Sequence, residues 1–233
     1  YIGGSDHKFR AIDIKSGTVV WSYDGVEGYI ETKPLVYDNL VIFGAWDKNL
    51  YALDKKTGKE VWKWHEGKPG RFYSAAPVAA NGKVFIADPE RALTAIDAST
   101  GKTVWRTKES MVRETVGLSE DKRRIYSKTM NDSVVCYSAT TDFPEKIWAS
   151  NVGFGYEHAP SMPVEKEGVV FGSTKNGLMF GLDALTGKVL WKHKVGNSLI
   201  STLVPLSKNK CLFTATGGEI GLLVIDYKIN KHK

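Results

Sequence analysis

Along this chain, apolar and polar residues alternate in short runs, each closed by a turn signal. Leu50-Tyr51-Ala52-Leu53-Asp54 alternates and is rich in residues that favour pleated backbone, so it reads as a strand. Comparable β-rich runs are Leu40-Val41-Ile42-Phe43-Gly44, Lys83-Val84-Phe85-Ile86-Ala87, Arg124-Ile125-Tyr126-Ser127, Val169-Val170-Phe171-Gly172-Ser173 and Cys211-Leu212-Phe213-Thr214. Shorter apolar runs precede several of them, at Thr32-Lys33-Pro34-Leu35-Val36, Ala75-Ala76-Pro77-Val78 and Ser201-Thr202-Leu203-Val204. Asn81-Gly82 lies between two such runs and is a strong hairpin signal, because both residues tolerate the positive φ that a two-residue turn needs.

The pattern repeats. Trp21, Trp62, Trp105, Trp148 and Trp191 are 41, 43, 43 and 43 residues apart. Four residues before four of them stand Gly17, Gly58, Gly101 and Gly187, and four before those stand Asp13, Asp54, Asp97 and Asp183. Two before the acid position is a small residue: Ala11, Ala52, Ala95, Cys136 or Gly181. The copies read FRAIDIKSGTVVW, LYALDKKTGKEVW, LTAIDASTGKTVW and MFGLDALTGKVLW, and a last one, LLVIDYKINKHK, runs out where its Trp would fall.

The glycines suit a bulged hairpin turn with positive φ. Asp142 and Asn230 hold that position in the fourth and sixth copies, and they are expected to adopt the same conformation. The fourth copy has two extra residues, which predicts a longer turn. The small residue before the acid is expected to leave space for the indole of a neighbouring blade.

Four antiparallel strands per copy make a blade. The predicted fold is all-β: a β-propeller of about six four-stranded antiparallel blades, the first incomplete because it lacks its leading strand. It forms one domain, 1–233, with repeats near 1–25, 26–66, 67–109, 110–152, 153–195 and 196–233. A seventh or eighth blade in a longer parent stays open.

Composition adds constraints. Hydrophobic residues are 42% and charged residues 25%, as in ordinary folded material rather than a disordered tail. No apolar run approaches the roughly 18 residues of a membrane span. The opening Tyr1-Ile2-Gly3-Gly4 reads as the end of a strand and suggests a domain cut from something longer. The net charge of +6, from 32 basic and 26 acidic residues, is scattered, with Lys122-Arg123-Arg124 the densest run. No nucleic-acid recognition motif accompanies it, so no nucleic-acid partner is expected. Cys136 and Cys211 fall in apolar runs of different blades and read as buried free thiols.

These signatures, LYALDKKTGKEVW above all, resemble the PQQ-like (quinoprotein-type) β-propeller repeat over essentially the whole chain. The resemblance implies extracytoplasmic residence, periplasmic or in the cell envelope, in a bacterium. Its members include quinoprotein alcohol dehydrogenases, the propeller lipoprotein of the outer-membrane assembly machine, and accessory propellers fused to hydrolases such as metallophosphoesterases. Fold alone does not choose among them. The dehydrogenases have eight blades, an adjacent Cys-Cys disulfide over the cofactor, a Trp beneath it, a calcium site of Glu and Asn, and an Asp base. This chain has no adjacent cysteines and fewer recognisable blades. Trp46, a tryptophan outside the blade-docking register, could imitate the stacking floor, but the rest of the set is missing. Neither PQQ nor calcium is therefore expected, and no catalytic residues are assigned.

Other catalytic motifs are missing too: His-x-x-x-His, Cys-x-x-Cys, a phosphate-cradling Gly loop and Gly-x-Ser-x-Gly. The histidines, His7, His65, His158, His193 and His232, are spread over different blades or edges and read singly as surface residues.

Blade geometry predicts where binding groups meet. The loop after each Trp strand and the turn before each Ala-x-Asp strand fall on one rim. The loops contribute Ile30-Glu31, Tyr73-Ser74, Arg113-Glu114, Glu157-His158 and Ile200-Ser201; the turns contribute His7, Trp46, Arg91, Asn131, Lys175 and Glu219. Glu31, Arg71, Arg113, Glu114, Glu157 and His158 make this set highly charged, and both an ion-pair network and ligand binding stay open. A metal on Glu31, Glu114 and His158 is conceivable, but no metal site is assigned. Tyr29, Phe72, Tyr73, Phe154 and Tyr156 add aromatic surface, and Asn151-Val152-Gly153-Phe154-Gly155-Tyr156 is expected to be a mobile loop.

The candidate partner-binding residues are Glu31, Trp46, Arg71, Tyr73, Arg113, Glu114, Tyr156, Glu157 and His158. The leading expectation is a non-catalytic scaffold that binds another protein or an appended catalytic domain, such as that of a metallophosphoesterase. The alternatives are a divergent PQQ-dependent dehydrogenase and a binder of an acidic glycan, the carbohydrate reading being motivated by the positive charge and the aromatic rim.

Overall fold

The computed structural model describes residues 1–65, 76–157 and 161–226, and within them it contains strands and no helix. The first repeat forms β1 (Ile2–Gly3), β2 (Phe9–Ile12) and β3 (Val19–Tyr23). The second forms β4 (Leu35–Tyr37), β5 (Leu40–Gly44), β6 (Leu50–Asp54) and β7 (Glu60–Trp64), and the third β8 (Val78–Ala80), β9 (Lys83–Ala87), β10 (Leu93–Asp97) and β11 (Thr103–Thr107). The fourth comprises β12 (Val112–Leu118), β13 (Arg124–Thr129), β14 (Asn131–Ser138) and β15 (Lys146–Tyr156). The fifth comprises β16 (Val164–Lys166), β17 (Val169–Ser173), β18 (Leu178–Asp183) and β19 (Val189–Lys194), and the sixth β20 (Ile200–Ser207), β21 (Lys210–Ala215) and β22 (Ile220–Val224). Among the described residues, each repeat is one sheet with its strands paired in chain order: four sheets of four strands, and sheets of three strands in the first and last repeats. The chain is an all-β propeller.

The chain divides into two compact units, Tyr1–Val116 with Ala139–Glu145, and Gly117–Ser138 with Lys146–Lys233. In the first, Phe9 stacks on Phe43 with ring centroids 3.8 Å apart, and both rings are fully buried beside Val41 and Leu53. In the second, Trp148 packs with Tyr126, Cys136, Phe180 and Leu182. Burying such aromatic and aliphatic side chains is the main force holding adjacent sheets together.

The repeat motif has one local structure. Asp54 Oδ1 accepts hydrogen bonds from the amides of Lys56 and Thr57 at 3.1 and 2.8 Å and from the Thr57 hydroxyl at 2.8 Å. Asp13, Asp97 and Asp183 make the same turn with Ser16, Thr100 and Thr186. The register slips by one residue just after the small residue, at Ala52/Leu53 for example, so each turn is a bulged hairpin. Gly58, Gly101 and Gly187 carry φ of 71°, 70° and 74°. Each also lies under the indole of the preceding blade: a β-carbon would come within 2.6 Å of Trp21, 2.8 Å of Trp62 and 2.7 Å of Trp148, respectively. These indoles donate to the carbonyl that follows the acid: Trp21 to Lys55 at 3.2 Å, Trp62 to Ala98 at 2.9 Å and Trp148 to Ala184 at 3.1 Å.

Four expectations need correction. The small residue faces the Trp of its own blade, not the neighbour's: Ala52 pairs with Trp62 and Gly181 with Trp191, whose Nε1 would lie 2.2 Å from an added Gly181 β-carbon. The turn glycine is what receives the neighbour's ring. Asp142 does not adopt positive φ. The two extra residues change the turn, which closes through Glu145 N–H to the Phe143 carbonyl, and Asp142 pairs with Lys83 at 2.9 Å. Asn230 lies outside the described residues. The glycine-rich stretch 151–156 is not a loop but the end of β15, where Gly153 and Gly155 take φ of 73° and 74° and Gly155 N–H donates to Asp132. Arg113, Glu114, Asn131, Ile200 and Ser201 stand in strands rather than in loops or turns.

The Asn81-Gly82 hairpin forms as expected, with φ of 53° and 75°. Cys136 and Cys211 are free and buried.

Candidate functional site

The turn between β5 and β6 carries Trp46. Ala45 and Asn49 close it (N–H to carbonyl, 3.1 Å), and Lys48 takes φ of 79° within it. The segment entering β4 lies directly on this turn because Gly28 has no side chain: a β-carbon there would come within 2.4 Å of the Asp47 nitrogen. That approach lets Trp46 N–H donate to the Tyr29 carbonyl at 2.9 Å, Glu27 N–H donate to Asp47 Oδ2 at 2.9 Å, and the Trp46 indole donate to Glu31 Oε2 at 3.0 Å. Thr32 fastens the far side, exchanging hydrogen bonds with the Gly44 backbone at 2.9 and 3.1 Å.

The result is an aromatic row. Tyr29, 49% exposed, stands edge-on to Trp46 at 6.5 Å and to His7 at 5.2 Å. His7 has φ of 63° in the β1–β2 turn. Beneath the row, Tyr51 is buried and donates to Asp47 Oδ2 at 2.5 Å; burial first, then Asp47, pushes the phenol well above its ordinary value. One edge of this patch is thus rigid and anionic, and the other is aromatic and open to solvent. An indole oriented by a carboxylate beside an exposed phenol can stack on apolar or planar groups while accepting hydrogen bonds from a partner.

Four more of the candidates fall among the described residues, Tyr156 and Glu157 in the second unit and Arg113 and Glu114 in the first. Tyr156 is 53% exposed, and Lys175 Nζ lies 5.0 Å from its ring centre, a cation–π contact. Glu157 is buried, donates its N–H to the Met130 carbonyl at 3.2 Å and accepts from Lys175 N–H at 3.1 Å through its carboxylate. It ties two turns together rather than facing solvent. Arg113 is half-buried in β12, where Glu114 follows it. Arg71, Tyr73, His158 and Phe72 lie outside the described residues, and with His158 the conceivable Glu31–Glu114–His158 metal set.

The sequence reading passed over one cluster. In the β9–β10 turn, Asp88 is buried and accepts from Arg106 Nε at 2.6 Å, Thr94 Oγ1 at 3.0 Å and the amides of Glu90 and Ala92. Arg106 and Lys108 both pair with Glu90, at 3.0 and 2.6 Å. The signal was an Asp opening a turn with a basic outer strand opposite, but pairing them requires the β10–β11 register. With both carboxylate oxygens already accepting, Asp88 pins a turn and offers no acceptor to a ligand.

Known proteins resemble this chain in sequence over part of its length and in fold. A 94-residue stretch is 38% identical to quinoprotein alcohol dehydrogenase PedH of Pseudomonas putida, covering 36% of this chain and 16% of that protein. A 99-residue stretch is 35% identical to the quinohemoprotein alcohol dehydrogenase of Comamonas testosteroni, covering 37% and 14%. The matched part is thus about a sixth of these relatives' length. Among solved structures, BamB from Moraxella catarrhalis superposes with a TM-score of 0.69 at 20% identity, over 98% of this chain and 66% of that one. The computationally designed Ika8 protein gives 0.81 at 19%, over 96% and 67%. The yeast protein Sqt1, from Saccharomyces cerevisiae, gives 0.76 at 14%, over the same shares. At these identities the structural likeness concerns the fold alone. Among the described residues no helix is long and apolar enough to cross a membrane. The sequence model of the PQQ-repeat family described as outer membrane protein assembly factor BamB matches residues 1–141 and 130–230, and the chain belongs to that family.

Proposed function

We propose that this chain is a non-catalytic binding scaffold that holds a partner protein through the aromatic patch of its first two blades. The observation that carries this reading is the half-exposed Tyr29 beside a Trp46 indole held in place by Glu31. Exposed, pre-ordered aromatic side chains lose little conformational freedom on binding and supply large contact areas. The partner is another protein or a catalytic domain of a larger hydrolase, and residence outside the cytoplasm accompanies this reading. The test is photo-crosslinking from position 29 in envelope extract, comparing the wild type with Trp46→Ala and Glu31→Gln. A crosslinked protein lost at least tenfold in Trp46→Ala, with unchanged melting, supports the patch. Equal recovery from all three variants removes it.

The likeness to PedH supports a second reading, a divergent quinoprotein dehydrogenase. The described residues do not fit a quinone site. Cys136 and Cys211 are buried in separate blades, and the Trp46 indole is committed to Glu31 with Tyr29 at its edge. We therefore propose that the chain uses neither PQQ nor calcium. Quinone absorbance and dye-linked alcohol oxidation after adding both would replace the scaffold reading.

A further inference from the structure

The rings of the aromatic row form a corner with a charge beside it. Tyr29 and Trp46 meet at 66° and Tyr29 and His7 at 83°, so they stand as walls and not as a stack. Aromatic walls at such angles attract a cation that comes against them, through the negative faces of the rings. Tyr29 is half-exposed, so the corner is reached from solvent. Glu31, also exposed, stands at its side, because the Trp46 indole donates to Oε2 at 3.0 Å. An ionised carboxylate has about four acceptor positions, and one indole N–H occupies one of them. The local charge agrees. Residues 24–33 and 45–49 contain Asp24, Glu27, Glu31 and Asp47 against Lys33 and Lys48, on a chain whose net charge is +6. An anionic stretch on a basic chain draws a cationic group to this place.

We propose that the corner of Tyr29, Trp46, His7 and Glu31 takes an arginine side chain of the partner protein, an inference that rests on the scaffold reading above and gives the partner its chemistry. The guanidinium plane lies against the Tyr29 ring, and its N–H groups donate to the Glu31 carboxylate. Aromatic walls alone would take any cation, a quaternary ammonium included, but such a group has no N–H to offer Glu31. A lysine ammonium has donors, yet it is compact and strongly hydrated and gains less from a flat wall. Guanidinium is planar, weakly hydrated and forked, and so meets both the ring and the carboxylate.

The test is NMR on the labelled chain, following the Trp46 indole N–H during titration with acetyl-Gly-Arg-Gly-amide, with the same peptide carrying citrulline or lysine, and with choline. The arginine peptide is expected to shift that signal saturably. Citrulline keeps the plane and lacks the charge, and choline keeps the charge and lacks the donors; each should bind about fivefold more weakly or worse. Glu31→Gln can still accept the indole N–H but has no charge, and it should lose a similar factor. Tyr29→Phe should bind like the wild type and Tyr29→Ala should not. The proposal is overturned if the arginine peptide gives no saturable shift, if citrulline, lysine or choline binds as tightly, or if folded Glu31→Gln or Tyr29→Ala binds like the wild type. Failure of the scaffold reading looks different. A protein captured by crosslinking from position 29, with no arginine response, keeps the scaffold and removes the guanidinium site; a specific arginine response with no captured protein does the reverse.

Discussion

Gly58 lies under the indole of Trp21, so close that a β-carbon on it would approach the ring to 2.6 Å. The same residue holds φ of 71°, and thus meets two demands that only glycine satisfies together. Gly58→Ala combines left-handed backbone cost with displacement of a packed ring, and is expected to lose about 2–4 kcal/mol. Gly101→Ala and Gly187→Ala fall in the same range. Gly17→Ala, with no atom of the described residues within 4 Å of the added β-carbon, is expected to lose only the backbone share of about 1–2 kcal/mol. Urea midpoints of the four variants provide the comparison, and equal losses at Gly17 and Gly58 would refute it.

Trp62 isolates the ring itself. Trp62→Ala empties a site between two blades and is expected to cost about 3–5 kcal/mol. Trp62→Phe fills most of it but abandons the bond to the Ala98 carbonyl, adding about 1 kcal/mol to the cost of the smaller ring. Trp46→Ala, on a half-exposed side chain, should change stability much less. Thermal melting of the three proteins separates docking from patch tryptophans.

Acid should loosen the turns. The Thr57 hydroxyl and amide hold the Asp54 carboxyl below its ordinary value, the Ser99 and Thr100 hydroxyls do so at Asp97, the Thr186 hydroxyl at Asp183, and chiefly the Ser16 amide at Asp13. Because the folded pKa lies below the unfolded one, the stabilisation is complete above the unfolded pKa near 3.8 and is lost as pH falls through the folded values. The urea midpoint should hold steady between about pH 7 and 5 and decline below about pH 4. Thr57→Ala should reduce the Asp54 share of that decline. A midpoint equally dependent on pH without Thr57 would show that the turn carboxylate is not responsible.

The two thiols should be silent in the folded protein. Burial pushes Cys211 up to about 11 and Cys136 further in the same direction. Ellman's reagent at pH 8 should therefore find neither in the native chain and both in denaturant. Fast reaction of Cys136 in native buffer would contradict its place beside Trp148.

Most of the blade was legible because its signals are local. Asp54, Thr57, Gly58 and Trp62 lie within nine residues of one another, and their chemistry repeats at intervals of 41 and 43 residues, so turn, strand and period could be read directly. Asp142 was misread because two inserted residues changed the turn's closure, and conformational tolerance alone does not determine φ. Ala52 was given the wrong partner because spacing does not tell which of two indoles faces it; the β6–β7 register does.

The patch was legible only as residue types. Glu31 and Trp46 were singled out, but their bond, and the row through Tyr29 to His7, depend on Gly28 letting one segment lie on another. Glu157 looked like a rim carboxylate and proved to be a buried tie between two turns. By itself the sequence determined the blade, its turns and its number of copies, because these rest on bonds between near neighbours and on periodic burial. Tertiary structure decided which glycine holds which indole and which carboxylates face solvent. Those depend on contacts between segments far apart in the chain, where packing and register choose among partners that spacing leaves equal.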